Sequence, residues 1–136
     1  MREICDRHGA LFVLDEIMCG MGRTGKMHAW QWEGLSSPPD IQLNGKGITG
    51  GYAPLAAVLI SAKVADALIV GSGAFINGFT YQLHAVGCRA ALEVLKVMKD
   101  DGLVEQCYQR GLFLEKTLKM QLSDLAHVGD IRLVNQ

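Results

Sequence analysis

An excess of charge of either sign is missing from this sequence. Its 136 residues carry 13 Lys and Arg against 14 Asp and Glu. No basic patch offers a footprint for nucleic acid, so a polyanionic partner is not expected. Proline is scarce, at 3, while glycine reaches 16. That balance speaks for tight turns around a site rather than a disordered linker. Cys5, Cys19, Cys88 and Cys107 form no C-x-x-C pair, so they lack a zinc framework and fit reduced thiols in a cytosol-like compartment. His8, His28, His84 and His127 are equally scattered. Long apolar runs are absent too: the most apolar window, 53–70, is interrupted by Lys63 and Asp66, and no membrane span is expected. The opening MREICD has neither an apolar h-region nor an Arg- and Ser-rich transit pattern. The expected location is the cytoplasm, with the mitochondrion as the alternative.

What is present reads as one globular domain's worth of chain, 49% hydrophobic and 20% charged. Residues 2–8 read as a helix end stopped by Gly9. Ala10 to Leu14 is a continuous apolar run, as expected of a strand buried on both faces of a parallel sheet. A glycine-rich loop follows to Lys26, then a short helical turn over 27–32 and a strand over 40–43. A second loop spans 45–51, a strand 54–61 and a helix 62–68. Apolar residues at helical spacing predict a helix over 82–99, broken by Asp100-Asp101-Gly102, and another over 103–122. His127 to Leu133 reads as the start of a further strand. Buried strands with helical crossovers predict an α/β fold with a mostly parallel sheet.

The loop after the first strand fits two phosphate patterns. Gly20-Met21-Gly22-Arg23-Thr24-Gly25 spells G-x-G-x-x-G, and Gly20 to Lys26 spells most of a P-loop. A working P-loop needs Ser or Thr after its lysine to hold magnesium, and Met27 stands there. A dinucleotide fingerprint needs its glycines at the strand end with a helix opening behind them. Asp15 to Cys19 intervene here, and the segment after Gly25 has no apolar face. A plain connecting loop stays open as a reading.

Asp15 ends a predicted buried strand, where α/β sheets place ligand groups. Lys46 sits between Gly45 and Gly47 after the next strand. A carboxylate and a lysine displayed at neighbouring strand ends suit pyridoxal phosphate, which needs an amine for its Schiff base and an acid for its pyridinium nitrogen.

The stretch LFVLDEIMCGMGRTGKMHAWQWEG, followed by PDIQLNGKGITGGYAPLAAVLIS, resembles the class III aminotransferases, fold-type I enzymes of the ω-transaminase kind. NGFTYQLHAVGCRAALEVL resembles their threonine segment and its helix, and HVGDIR their next strand. The resemblance runs from Ile4 to Arg132. It implies a homodimer that binds pyridoxal phosphate. It implies Lys46 as the Schiff-base lysine and proton shuttle, and Asp15 as the partner of the ring nitrogen. Ile17 would pack on the ring, and Met18 would stand near its phenolic oxygen, where many members carry Gln. Thr80 would reach the neighbouring subunit's cofactor phosphate, or cap the helix behind it. Leu83 and Ala85 depart from the Gly and Pro common nearby. Glu16 receives no catalytic role, and Arg23 reads as structural. Trp30, Trp32 and Tyr52 read as packing residues or a substrate rim.

By the same resemblance, residues 1–98 correspond to the second half of the cofactor domain and 99–136 to the start of a small C-terminal domain. The phosphate cup and the carboxylate-gripping arginine have no counterpart here, and Leu133 to Gln136 diverge from the pattern. The chain is therefore expected to be a fragment, inactive alone. Its parent would move an amino group from an amine or ω-amino acid to a 2-oxo acid. An aminomutase or racemase on the same scaffold, or a non-catalytic remnant, are the alternatives.

Overall fold

A computed structural model of the chain describes residues 1–132. Helix α1 (Arg2–Arg7) ends at Gly9, whose φ of 65° turns the backbone in a way side-chain-bearing residues rarely adopt. Strand β1 (Val13–Asp15) follows, then a short 3₁₀ turn at Ala29–Trp32 and strand β2 (Ile41–Asn44). A second 3₁₀ turn at Lys46–Thr49 leads to strand β3 (Ala57–Ile60) and helix α2 (Ala62–Val70). Helices α3 (Ala85–Asp100) and α4 (Leu103–Leu122) close the described chain, with Gly102 at φ 61° between them.

The α/β class expected from the sequence holds. The three-stranded sheet has the order β1-β2-β3. β1 and β2 are parallel, with Val13 opposite Ile41, Leu14 opposite Gln42 and Asp15 opposite Leu43. β3 is antiparallel to β2, so the ladder is mixed. The cause lies in the connections. Each connection contains only a 3₁₀ turn, but 16–40 is about twice as long as 45–56, and only the longer one gives a strand ample chain to cross over and run parallel.

Three expectations need correction. Leu11 and Val13 are about half exposed rather than buried on both faces, because no described element covers that side of β1. The helix expected from residue 82 starts at Ala85, capped by His84, whose Nδ1 accepts the Gly87 N–H at 3.2 Å. Residues 127–132 form no strand, since no described strand pairs with them, and Leu133 lies outside the described residues.

Asp40 joins the near end of the sheet. Its carboxylate accepts the Phe12 N–H at 2.8 Å and meets Arg2 at 2.9 Å, while its backbone carbonyl accepts the Ser61 N–H at 2.8 Å. Arg2 also pairs with Asp6 and lies over the Phe12 ring at 5.3 Å. The Phe12 N–H and then Arg2 hold the Asp40 carboxyl below the usual carboxylate range. A depressed folded-state pKa stabilises the protein above the unfolded value and loses that contribution as pH falls through the folded value. Asp40→Asn is expected to cost about 1 kcal/mol at neutral pH. The gap should close on acidification below about pH 4, as urea unfolding at several pH values will measure.

Candidate functional site

Parallel pairing brings the carboxyl ends of β1 and β2 to one edge of the sheet. Asp15 ends β1; Leu43 lies opposite it, and Gly45-Lys46 follow. Successive strand residues face opposite sides. Gln42 Nε2 donates to Glu16 Oε2 at 3.3 Å and to Asn44 Oδ1 at 3.0 Å, so these three side chains share one face. Asp15 therefore projects to the other face, with Val13, Ile41 and Leu43.

Asp15 is exposed, and its Oδ1 accepts the Ile17 N–H at 2.9 Å. That bond turns the chain back at the strand end, as short Asp side chains often do. It sets half-buried Ile17 against Gly45: a Cβ on Gly45 would come within 3.2 Å of Ile17 Cγ2. Gly47 similarly faces Met21 at 3.4 Å. The two loops thus meet beside Lys46, and Gly45 lacks a side chain where one would crowd Ile17.

Lys46 has φ 44°, a left-handed conformation uncommon outside glycine. The turn breaks the alternation that would otherwise carry its side chain to the face of Gln42 and Asn44. Lys46 is exposed, and among the described residues no carboxylate lies within ion-pair distance of it. Thr49, 1% exposed, donates from Oγ1 to the Ala53 carbonyl at 2.6 Å and closes the turn behind it. Helix α3 packs on this turn. A Cβ on Gly50 would touch Val94 at 3.4 Å, and Gly87 faces Leu55 at the same distance.

The other expected site residues are placed as follows. Met18 is 67% exposed beyond Ile17. Thr80 lies in an exposed turn and does not cap α3, since His84 does. Among the described residues Thr80 has no hydrogen bond to Asp15, Ile17 or Lys46. Leu83, where glycine is common in the family it resembles, has φ 58°, a backbone that glycine adopts more readily.

The glycine loop has a packing role. Gly22 and Gly25 both have φ 83°, and helix α4 lies directly on them. A Cβ on Gly22 would meet Val104 Cγ2 at 2.9 Å, and one on Gly25 would meet Tyr108 Cβ at 2.7 Å. The space a phosphate would need on that side is filled by α4. Trp32 packs against Tyr108 with centroids 5.6 Å apart and the rings tilted by 32°, and its Nε1 donates to the Thr24 carbonyl at 3.1 Å. Lys26 lies 4.9 Å over the same indole. Trp30 donates to Gln42 Oε1 at 2.8 Å, so both tryptophans pack, while Tyr52 is 87% exposed.

Sequence reasoning passed over Glu16. It is 2% exposed and accepts the Ala29 N–H at 3.0 Å and the Trp30 N–H at 2.8 Å. The carboxylate therefore caps the Ala29–Trp32 turn from across the loop, near His28 at 3.9 Å. An acid directly after an apolar strand was the available signal, but its partners are 13 and 14 residues away.

The donor set fits pyridoxal phosphate chemically. Among the described residues Lys46 offers an amine without an ion-pair partner, and Asp15 Oδ1 holds only a backbone N–H. Comparison with known proteins shows the family. Residues 1–134 match the family model described as "Aminotransferase class-III". An "Aminotransferase" of Gibberella zeae is 52% identical over 97% of this chain, which spans 25% of that protein. A transaminase structure from the marine bacterium Virgibacillus superposes with TM-score 0.90 at 38% identity, over 98% of this chain and 30% of that one. The taurine:2-oxoglutarate aminotransferase of Bifidobacterium kashiwanohense, solved with PLP and glutamate, superposes with TM-score 0.88 at 30% identity, over 98% and 29%. The chain thus spans about a quarter to a third of the proteins it matches.

Gly25→Ala is expected to destabilise the chain by about 2 kcal/mol or more, from a clash with Tyr108 added to an unfavourable φ. Gly34→Ala, at φ 57° with nothing within 4 Å, should cost about half as much. Denaturant midpoints of the two variants compare them directly.

Proposed function

Since the chain belongs to the class III aminotransferases, we propose that it supplies the lysine-bearing part of a longer transaminase. The reaction is transfer of an amino group from an amine or ω-amino acid to a 2-oxo acid. The observation that carries this reading is the meeting of the Asp15 and Lys46 loops at one sheet edge, with Ile17 against Gly45. Class III aminotransferases depend on pyridoxal phosphate.

When bound, that cofactor supplies an aldehyde that condenses with amines and a ring that withdraws electrons. Lys46 would be the residue that holds the cofactor, through its side-chain amine. The same nitrogen would also serve as the base that moves a proton from the substrate carbon. Asp15 would accept the ring N–H and keep that nitrogen protonated. A charge-assisted bond of this kind contributes roughly 1.5–3 kcal/mol. Ile17 would give the ring an apolar contact, and Met18, which cannot donate a hydrogen bond, would leave the phenolic oxygen to other donors. Thr80, on its exposed turn, would donate to the cofactor phosphate of a second subunit.

We divide the chain at 98/99, in the last turn of α3, between the cofactor domain and a C-terminal unit that contains α4. The four cysteines are free, which suits a reducing compartment and supports the cytoplasm. Among the described residues no helix is long and apolar enough to cross a membrane.

The complete polypeptide that carries these residues should bind pyridoxal phosphate with the absorbance of a lysine adduct. Lys46→Ala should abolish that band, and persistence of the band would exclude Lys46. The 136-residue chain alone should show no amine transfer from any donor to pyruvate, as an assay of alanine formation will measure.

A further inference from the structure

We infer that Glu16 is a positioning residue for Asp15. The inference rests on the cofactor role proposed for Asp15. It is argued from a cluster of buried polar side chains on the opposite face of the sheet.

Every polar group of Glu16 is engaged. Its N–H donates to the Leu43 carbonyl at 3.0 Å, and its carbonyl accepts the Gly20 N–H at 2.9 Å. Its carboxylate takes the Ala29 and Trp30 N–H groups and the Gln42 amide. Gln42 in turn accepts from Trp30 Nε1, donates to Asn44 and lies 2.8 Å from His28 Nδ1. His28 and Trp30 stack with their planes 8° apart. Glu16, Gln42 and Asn44 are each under 5% exposed.

The consequence follows from strand alternation. Neighbouring side chains at a strand end point to opposite faces, so a residue locked on one face dictates where the next one points. Glu16 is tied to β2, to the glycine loop and to the Ala29–Trp32 turn at once. Its Cα cannot rotate without breaking several buried hydrogen bonds, each costly to leave unmade. Among the described residues Asp15 has one side-chain bond, to Ile17 N–H, and it is exposed. Its direction is therefore set by Glu16 rather than by contacts of its own. A Gln at position 16 would present an NH₂ group to donors that need an acceptor, namely the Ala29 and Trp30 N–H groups or the Gln42 amide.

The test uses the isotope-labelled 136-residue chain at neutral pH, without cofactor. In Glu16→Gln, the Asp15 carboxyl resonance should move. The Ile17 amide should exchange at least about tenfold faster, while the Ser61 amide, bonded to Asp40 at the far end of the sheet, keeps its protection. If that variant does not fold, Gln42→Met removes one Glu16 partner and should shift the same two signals less far. An Asp15 resonance and Ile17 exchange matching the unaltered chain overturn the inference. So does loss of protection at Ile17 and Ser61 together, which marks a general structural role. Failure of the cofactor reading is seen separately, as a lysine-adduct band in the complete polypeptide that survives Lys46→Ala.

Discussion

Parallel pairing of β1 with β2 is the constraint on which the rest of the structure depends. Two strands that run the same way end at the same edge. The residues that follow them, Ile17 beyond Asp15 and Lys46 beyond Gly45, are then close enough for one loop to rest on the other. An antiparallel pair would have sent the acid and the amine to opposite edges. The Glu16 carboxylate fastens this arrangement from behind. It bonds a glutamine on β2 and the first N–H groups of a turn that the intervening loop carries back to the sheet.

The described chain is held together by buried polar groups more than by an apolar core. Among the described residues Ala91 is the one buried hydrophobic side chain, whereas Arg2, Glu16, Asp40, Gln42, Asn44, Thr49 and Glu115 are all buried. On the sheet, Val13, Val58 and Ile60 stay between 44% and 61% exposed. Hydrogen bonds of this kind specify geometry strongly but contribute modestly to net stability. Such a chain is expected to fix its loops well and to be marginally stable, and it corresponds to only about a quarter of the curated relatives' length.

Element types were legible in the sequence because their periodicities are strong. The apolar run before Asp15 does give a strand, though over Val13–Asp15 rather than from Ala10, and the helical spacing from Val86 to Met98 and the break at Gly102 appear where they were read. So does the succession of Asp15 and Lys46 at strand ends. The relations hidden from a linear reading are long-range ones. That β3 runs antiparallel goes with the shorter connection that leads to it. That Gly22 and Gly25 are empty of side chains for the sake of Val104 and Tyr108 becomes visible only when α4 has folded back over them. The phosphate-like pattern of that loop is thus a consequence of helix packing. Glu16 was overlooked because its partners arrive from a turn and a neighbouring strand, with no local spacing to announce them. A strand at 127–132 failed for the related reason that a strand requires a partner, which no local pattern can supply.

The most direct measurement is a crystal structure of the complete polypeptide grown with pyridoxal phosphate. The expected result is a covalent link from Lys46 Nζ to the aldehyde carbon, with the Asp15 carboxylate in hydrogen-bond contact with the ring nitrogen. A cofactor bound elsewhere, or a ring nitrogen facing a group other than Asp15, would contradict the assignment.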